Sequence, residues 1–384
     1  MPPRLIVAGA LAQPPIGGGG NAWAFLQYIL GFRKLGFETY YVEHVAADNC
    51  FDESWRRTSF AQSANVKFFR DIMHRFGFAE RSSLLLEGSS EHVGLSLAKL
   101  EEIGASSVLF LNMSGRFHIR SVLDAARRRA YLDMDPGFVQ VWQEQYGVDM
   151  NLRGHDVHFT VGLNLGTPRC PLPTCGIDWH TTLPPVVLDE WTNDAAAGAR
   201  YTTVADWRGY GAVEWDGRWY GQKAEEFLKL LDLPRRVAAP LEICLAIHPG
   251  EADRAALLDH GWHLSEPREQ VSSVDAYRAY ICASRGELTA VKNGYAAGHT
   301  GWVSDRSVCY LAAGRPVIVQ DTGIGEHLPI GNGLLTFETL DEAARAIDTV
   351  EADYDHHAAA ARELARSHFD SDRVLQRLLA LAGV

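Results

Sequence analysis

The chain reads as an α/β protein built from two parallel-sheet halves, and three observations predict this. Short apolar runs alternate with helical stretches in both halves, the pattern of parallel strands covered by helices on both faces. A segment rich in proline, threonine and small residues, from Arg169 to Arg200, interrupts that alternation in mid-chain. At 384 residues the chain is also too long for one ordinary α/β core.

Taken in order, Leu5 to Gly9 is a short β-like run followed by the glycine loop Gly17 to Gly20. Asn21 is the expected N-cap of the next helix, whose apolar face is Trp23, Phe25, Leu26, Ile29, Leu30 and Phe32 and which stops at Gly36. Strands are expected at Glu38 to Glu43, Val108 to Leu111, Tyr131-Leu132 and His158 to Val161. A second sheet begins at Tyr201 to Ala205 and continues at Leu241 to Ile247, Tyr280 to Ala283 and Pro316 to Val319. Helices fall between them at Gly221 to Leu231, Ala252 to Asp259, Ser273 to Arg278, Ser304 to Ala313 and Asp341 to Val350, with a helical tail from His356 to Leu381. The expected domains are 1–195 and 196–365, with 366–384 as a terminal helix able to cross back to the first. No internal repeat appears.

A net charge of −12 argues against general nucleic-acid binding. No run of about 18 apolar residues and no basic stretch leading into a cleavable apolar segment is present, so neither membrane span nor leader is expected. Six cysteines thinly spread through the chain suit a reducing compartment, and the expected location is the cytoplasm. Cys170 and Cys175, with His180 nearby, lie at the edge of zinc spacing, but no second cysteine pair follows and no metal is assigned.

The densest chemistry lies between His299 and Gly323. A polar loop leads into a short apolar helix, a glycine stop, a buried strand and a second polar turn. Helix starts present unpaired N–H groups and the positive dipole end, and Ser304, Ser307 and Arg306 add hydroxyls and charge: a phosphate site by construction. The strand then ends at Asp321-Thr322-Gly323, where open α/β sheets bind ligands.

The segment SDRSVCYLAAGRPVIVQDTG, Ser304 to Gly323, resembles the donor-site signature of the GT-B glycosyltransferases, in which a polar loop and short helix end in an Ala-Gly-x-Pro-Val turn. The layout of two Rossmann-like halves is similar to theirs. The resemblance implies two such domains facing each other across a cleft, a nucleotide-diphosphate sugar as co-substrate, no further cofactor, and transfer to an acceptor that the sequence leaves open, as it does the oligomeric state. It implies Arg208, Lys292, Ser304, Arg306 and Ser307 at the diphosphate; Asp321, Thr322, Gly323 and Glu326 at the donor sugar; and Gly18, Gly19, Gly20 and Asn21 in a loop lining the cleft on the acceptor side. Arg208 and Lys292 read equally as surface charges. Ser284 to Glu287, taken to follow a strand, is a candidate for the base or ribose.

Departures bear on the reaction. Many retaining members carry two glutamates eight apart here, and Gly301 and Cys309 hold those positions. An inverting, metal-independent course follows as the expectation. Inverting members also place a histidine after the first strand, where this chain has glycines. Asp135, at a strand's end, is the expected general base, with Asp133 and His44 next; Pro136 makes an N-cap the competing reading of Asp135. Glu43 stands where a dinucleotide site has its acidic residue. A non-catalytic nucleotide-sugar binding protein and a sugar-nucleotide epimerase of the same fold are the alternatives.

Overall fold

Leu5, Ile6, Val7 and Ala8 have no solvent exposure, the signature of a central parallel strand covered on both faces. They form β1 (Arg4–Ala8) in the computed structural model, which describes residues 2–13, 18–192 and 196–384. The chain divides into two compact units, one comprising Met1–Met134, Asp149–Phe159 and Leu375–Val384, the other Asp135–Val148 and Thr160–Val374.

The first unit continues with β2 (Glu38–Val45), β3 (Ser82–Leu86), β4 (His92–Gly94), β5 (Ser107–Met113), β6 (Arg129–Asp133) and β7 (Val157–Thr160). Its strands run in the order β4-β3-β2-β1-β5-β6-β7. β1 lies parallel between β2 and β5, with Ile6 opposite Tyr40 on one side and Phe110 on the other; β4 is antiparallel to β3. The helices are α1 (Gly19–Lys34), α2 (Ala64–Arg75), α3 (Leu97–Ser106) and α4 (Arg120–Leu123). Ile6, Val42, Leu100, Ile103, Phe110, Phe117 and Val122 join in one core on one side of this sheet.

In the second unit α5 (Phe138–Glu144) and β8 (Trp179–Thr181) precede the sheet strands β9 (Tyr201–Asp206), β12 (Leu241–Ala246), β13 (His263–Ser265), β14 (Gly286–Thr289), β15 (Val317–Gln320) and β16 (Leu334–Phe337). A two-residue Asp216-Gly217 turn, both at positive φ, folds β10 (Val213–Trp215) onto β11 (Arg218–Tyr220) as a separate hairpin. The six-stranded sheet runs β13-β12-β9-β14-β15-β16, all neighbours parallel. Its helices are α6 (Lys223–Lys229), α7 (Ala252–Asp259), α8 (Pro267–Gln270), α9 (Val274–Ala283), α10 (Asn293–Ala297), α11 (Asp305–Ala312), α12 (Leu340–Ala352) and α13 (Tyr354–Leu364); α14 (Ser371–Ala382) follows. Tyr201, Ile243, Leu245, Phe227, Trp262, Ile318 and Ile347 belong to its core. Arg128 donates to the Ala382 carbonyl at 2.8 Å, which fixes the end of α14 in the first unit.

Four sequence expectations change. Tyr280 to Ala283 is the last turn of α9, not a strand: Val274, Tyr277 and Ile281 are buried at helical spacing, and the β-favouring Tyr-Ile-Cys run yields to that period. Ser284 to Glu287 therefore leads into β14 at its amino end, opposite the edge where parallel sheets take ligands. Asn21 is not an N-cap; α1 starts at Gly19, and Asn21 donates back to the Ala10 carbonyl at 3.1 Å. Gly17 lies outside the described residues. The expected boundary after residue 195 does not coincide with the division by contacts. Trp215 donates to the Pro171 carbonyl and the Tyr146 hydroxyl accepts from Glu214 N, so the proline-rich segment and α5 pack with the second unit.

Glu43 is an internal tie. It is fully buried and accepts from Ala12 N at 3.0 and 3.1 Å and from the Tyr41 hydroxyl at 3.1 Å, holding the loop after β1. Burial pushes its pKa up to about 8. The unfolded chain releases this proton at an ordinary carboxylic pH and the folded chain holds it to about 8, so the contribution is present in acid and lost as pH rises through that window. Stability should fall between pH 5 and 8.5 by on the order of a few kcal/mol. Urea midpoints across that range will be flatter for Glu43→Gln; parallel profiles for both proteins would contradict the assignment.

Candidate active site

α11 starts where the sequence places it, and for the expected reason. The Ser304 hydroxyl accepts from Arg306 N at 3.2 Å as N-cap, and Gly314, at φ 68°, ends the helix before β15. Arg306, however, turns into the sheet. Its guanidinium donates to Glu287 at 2.5 Å, to the Val204 carbonyl at 3.0 Å and to Thr289 Oγ1 at 3.1 Å. The Glu287 side chain has no solvent exposure. The phosphate-binding charge expected of Arg306 is thus matched by a buried carboxylate. The Ser307 hydroxyl is buried and has no hydrogen-bond partner among the described residues.

Lys223 is the group that sequence reasoning missed. It opens α6, at the positive end of a helix dipole, where a lysine is electrostatically misplaced; that mismatch is the sequence signal that could have found it. Lys223 is partly exposed, and it is burial of its ammonium that acts on its charge. This desolvation, with the Arg306 charge adding to it, pushes the pKa down to about 7 despite the fields of Glu287, Asp206 and Asp305. Among the described residues no hydrogen bond or ion pair engages it. Asp206 ends β9 and Asp305 begins α11, so Lys223 sits at the carboxyl edge of the parallel sheet.

Arg208, two residues past β9, is half exposed and surrounded by acids: Asp253 at 2.8 Å, Glu251 at 3.3 Å and Glu225 at 4.0 Å. Pairs of this exposure hold weakly.

Asp135 and Lys292 come together. The ammonium lies 3.2 Å from both carboxylate oxygens and 3.3 Å from the Tyr295 hydroxyl, and the Tyr210 hydroxyl bonds to both charged groups. Tyr295 also donates to Asp135. Aromatic rings close around the pair: Lys292 stands 4.1 Å from the Tyr210 ring centre and 5.1 Å from Phe138, Trp142 packs edge-on against Tyr210, and Trp302 stacks on Tyr295 at 4.3 Å. Burial lowers the pKa of Lys292, and the neighbouring carboxylate opposes that shift. At the start of α5 Gln140 accepts from Gly137 N, and the Asp135 carboxylate faces Lys292.

The turn after β15 is braced on its own unit. Asp321 accepts from Gly323 N at 3.1 Å, Thr322 donates to the Trp302 carbonyl at 2.8 Å, and Glu326 pairs with Arg169. Gly323 has φ 85°, and a Cβ there would meet Asn164 Nδ2 at 2.6 Å. Asn164 in turn takes His327 at 2.7 Å. Gly18, Gly19 and Gly20 lie in the first unit, leading into and opening α1, and His44 and Asp133 are buried there. Cys170 and Cys175 form no disulfide; Cys170 is buried, its pKa raised to about 11, and the Cys175 thiol faces the Gln140 carbonyl.

Two doubly covered parallel sheets, with cationic side chains at the carboxyl edge of the second, define the GT-B fold class. Solved structures agree along the whole chain. Anabaena Alr3699/HepE, in complex with UDP and glucose, superposes with a TM-score of 0.58 at 12% identity, over 99% of this chain and 100% of that one. Sucrose-phosphate synthase from Thermosynechococcus elongatus gives 0.56 at 10% identity, over 99% and 98%. AviGT4, a glycosyltransferase of avilamycin A biosynthesis, gives 0.55 at 12%, over 100% and 99%. No curated protein matches the sequence. Residues 213–380 match the glycosyl transferase-like family, and the chain as a whole has the GT-B fold.

If Arg306 is structural, Arg306→Met will leave Glu287 buried and unpaired and cost about 3–5 kcal/mol in urea denaturation. An unchanged unfolding midpoint with lost nucleotide binding would return Arg306 to the ligand.

Proposed function

We propose that the chain transfers a sugar from a nucleotide-diphosphate sugar to an acceptor hydroxyl by a single displacement with inversion, and that Lys223 is the principal cation for the diphosphate. The observation that carries this is the place of Lys223 at the ligand edge of the second sheet, beside Asp206 and the start of α11, with no hydrogen bond or ion pair among the described residues; burial lowers its pKa to about 7. A diphosphate restores the charge that burial suppresses, so the binding free energy comes from a cation made unstable in advance. Arg208 flanks it on a neighbouring loop, and the Ser304 start of α11 supplies N–H groups. Side-chain cations, not a divalent ion, then meet the charge on the leaving group. A uridine diphosphate sugar is the donor to test first, because the similar HepE structure was solved with UDP-glucose.

Asp135 is the proposed base. In the resting geometry Lys292 and two phenols occupy its oxygens. When Lys292 turns toward the donor phosphate, a carboxylate lone pair becomes free for the acceptor. The acceptor oxygen then bonds to the anomeric carbon as its proton passes to Asp135, and the glycosidic C–O pair leaves on the diphosphate. The surrounding tyrosines and tryptophans offer flat apolar faces to a sugar ring. Inversion rests on Gly301 and Cys309 standing where retaining relatives carry glutamates; Cys309 is itself buried inside α11.

Calorimetry with an intact nucleotide sugar, whose diphosphate diester does not titrate near neutrality, tests Lys223. Affinity will be greatest below pH 7 and fall toward tenfold per unit above it, the direction required for a free-state pKa of about 7. Lys223→Met will weaken binding at least tenfold at pH 6.5 and flatten the profile. A pH-independent wild type would end the assignment. Separately, Asp135→Asn will leave the donor dissociation constant within about twofold while removing turnover by roughly 100-fold or more; retained turnover rejects Asp135 as base.

A further inference from the structure

The first unit gathers metal-ligating chemistry that the transfer reaction does not use. His44, Glu87 and His118 each offer one ligand atom, and those atoms all lie within 4.8 Å of one another. They are the one such group among the described residues. Three parallel strands bring them together: His44 is the next-to-last residue of β2, Glu87 directly follows β3, and His118 lies in the loop after β5. His44 and Leu85 are register partners, which puts the β2 and β3 contributions side by side. β1 separates β2 from β5, so the His118 loop must reach back. Asn112, fully buried at the end of β5, makes it do so by donating to the Phe117 carbonyl at 2.8 Å and accepting from Phe117 N at 3.0 Å.

The group is built unevenly. His44 is 4% exposed, its ring wedged edge-on against Phe117 and His118 at 5.4 and 4.1 Å, and its Nδ1 is buried without a hydrogen-bond partner among the described residues. An unsatisfied buried ring nitrogen is a cost that a ligand would remove. Glu87 and His118 are about half exposed and 3.1 Å apart, free to close the remaining distance around an ion. A surface His–Glu pair alone accounts for those two residues but not for the buried imidazole facing them.

We propose that His44, Glu87 and His118 bind a divalent transition cation of the zinc class. Two imidazoles and one carboxylate suit zinc over magnesium or calcium, which prefer all-oxygen sets. Three protein ligands leave at least one coordination position, and the exposure of Glu87 and His118 turns it toward solvent. The open position takes an oxygen ligand, water or a hydroxyl of a bound molecule, at the carboxyl edge of the first sheet where α/β proteins hold ligands. The proposal is independent of how the donor is bound.

The test uses the full chain after chelator treatment, titrated with zinc in calorimetry and with cobalt by visible absorption. One equivalent of zinc should bind at micromolar or tighter concentration, magnesium should not compete, and the cobalt spectrum should lack a thiolate charge-transfer band. His118→Ala and Glu87→Ala, both at exposed positions that spare folding, should each weaken binding more than tenfold with the apo melting temperature unchanged. Absence of micromolar zinc binding, a thiolate band, or undiminished affinity in both variants would overturn the site.

Discussion

The buried ion pair between Arg306 and Glu287 is the constraint on which the second unit depends. A guanidinium and a carboxylate taken out of water persist only when geometry and further hydrogen bonds compensate the lost hydration. Here Val204 and Thr289 each accept one further N–H, so the pair ties the start of α11 to β9 and β14 together. That fixes where the helix presents its first N–H groups. It also places a permanent positive charge beside Lys223 and contributes to making that ammonium hard to protonate. Removing the pair would loosen the frame and change the chemistry at the same edge.

The basic residues near this edge therefore divide by environment. Arg306 is matched inside the protein, Lys292 is clasped by a carboxylate and aromatic rings, and Arg208 rests on weak surface pairs. Only Lys223 has a suppressed charge and no bonded partner among the described residues. A site prepared in this way responds to an anion by gaining a proton, so ligand charge and protein charge appear together. In the proposed reaction this preparation would meet the charge of a departing diphosphate.

Much of the fold was legible in the sequence because burial repeats at fixed periods. β1, β9, β15 and α7 stand within a residue of where the apolar runs put them, and the Ser304 cap and Gly314 stop were readable as punctuation. The misreading at Tyr280 came from a β-favouring triplet overruled by a three-and-four spacing that only the longer window shows. Short strands such as β13, with little apolar content, left no signal. At the site, residue type located the α11 turn but could not reveal direction: Arg306 points into the sheet, a fact set by Glu287 nineteen residues away. Lys223 and the Asp135–Lys292 contact depend on pairings between distant segments. The same is true of His44, Glu87 and His118, whose meeting follows from strand order and not from spacing.

On the proposed function, the Lys223 ammonium is half protonated near neutrality in the free protein and becomes fully charged on the donor diphosphate. Carbon-13 side-chain NMR of lysine-labelled protein, with Lys223→Arg assigning the resonance, measures it directly. The titration midpoint should lie near 7 without ligand and move upward by more than one unit when UDP-sugar saturates the protein. An ordinary lysine midpoint above 10 in the free protein, or one that saturation leaves unmoved, would contradict it.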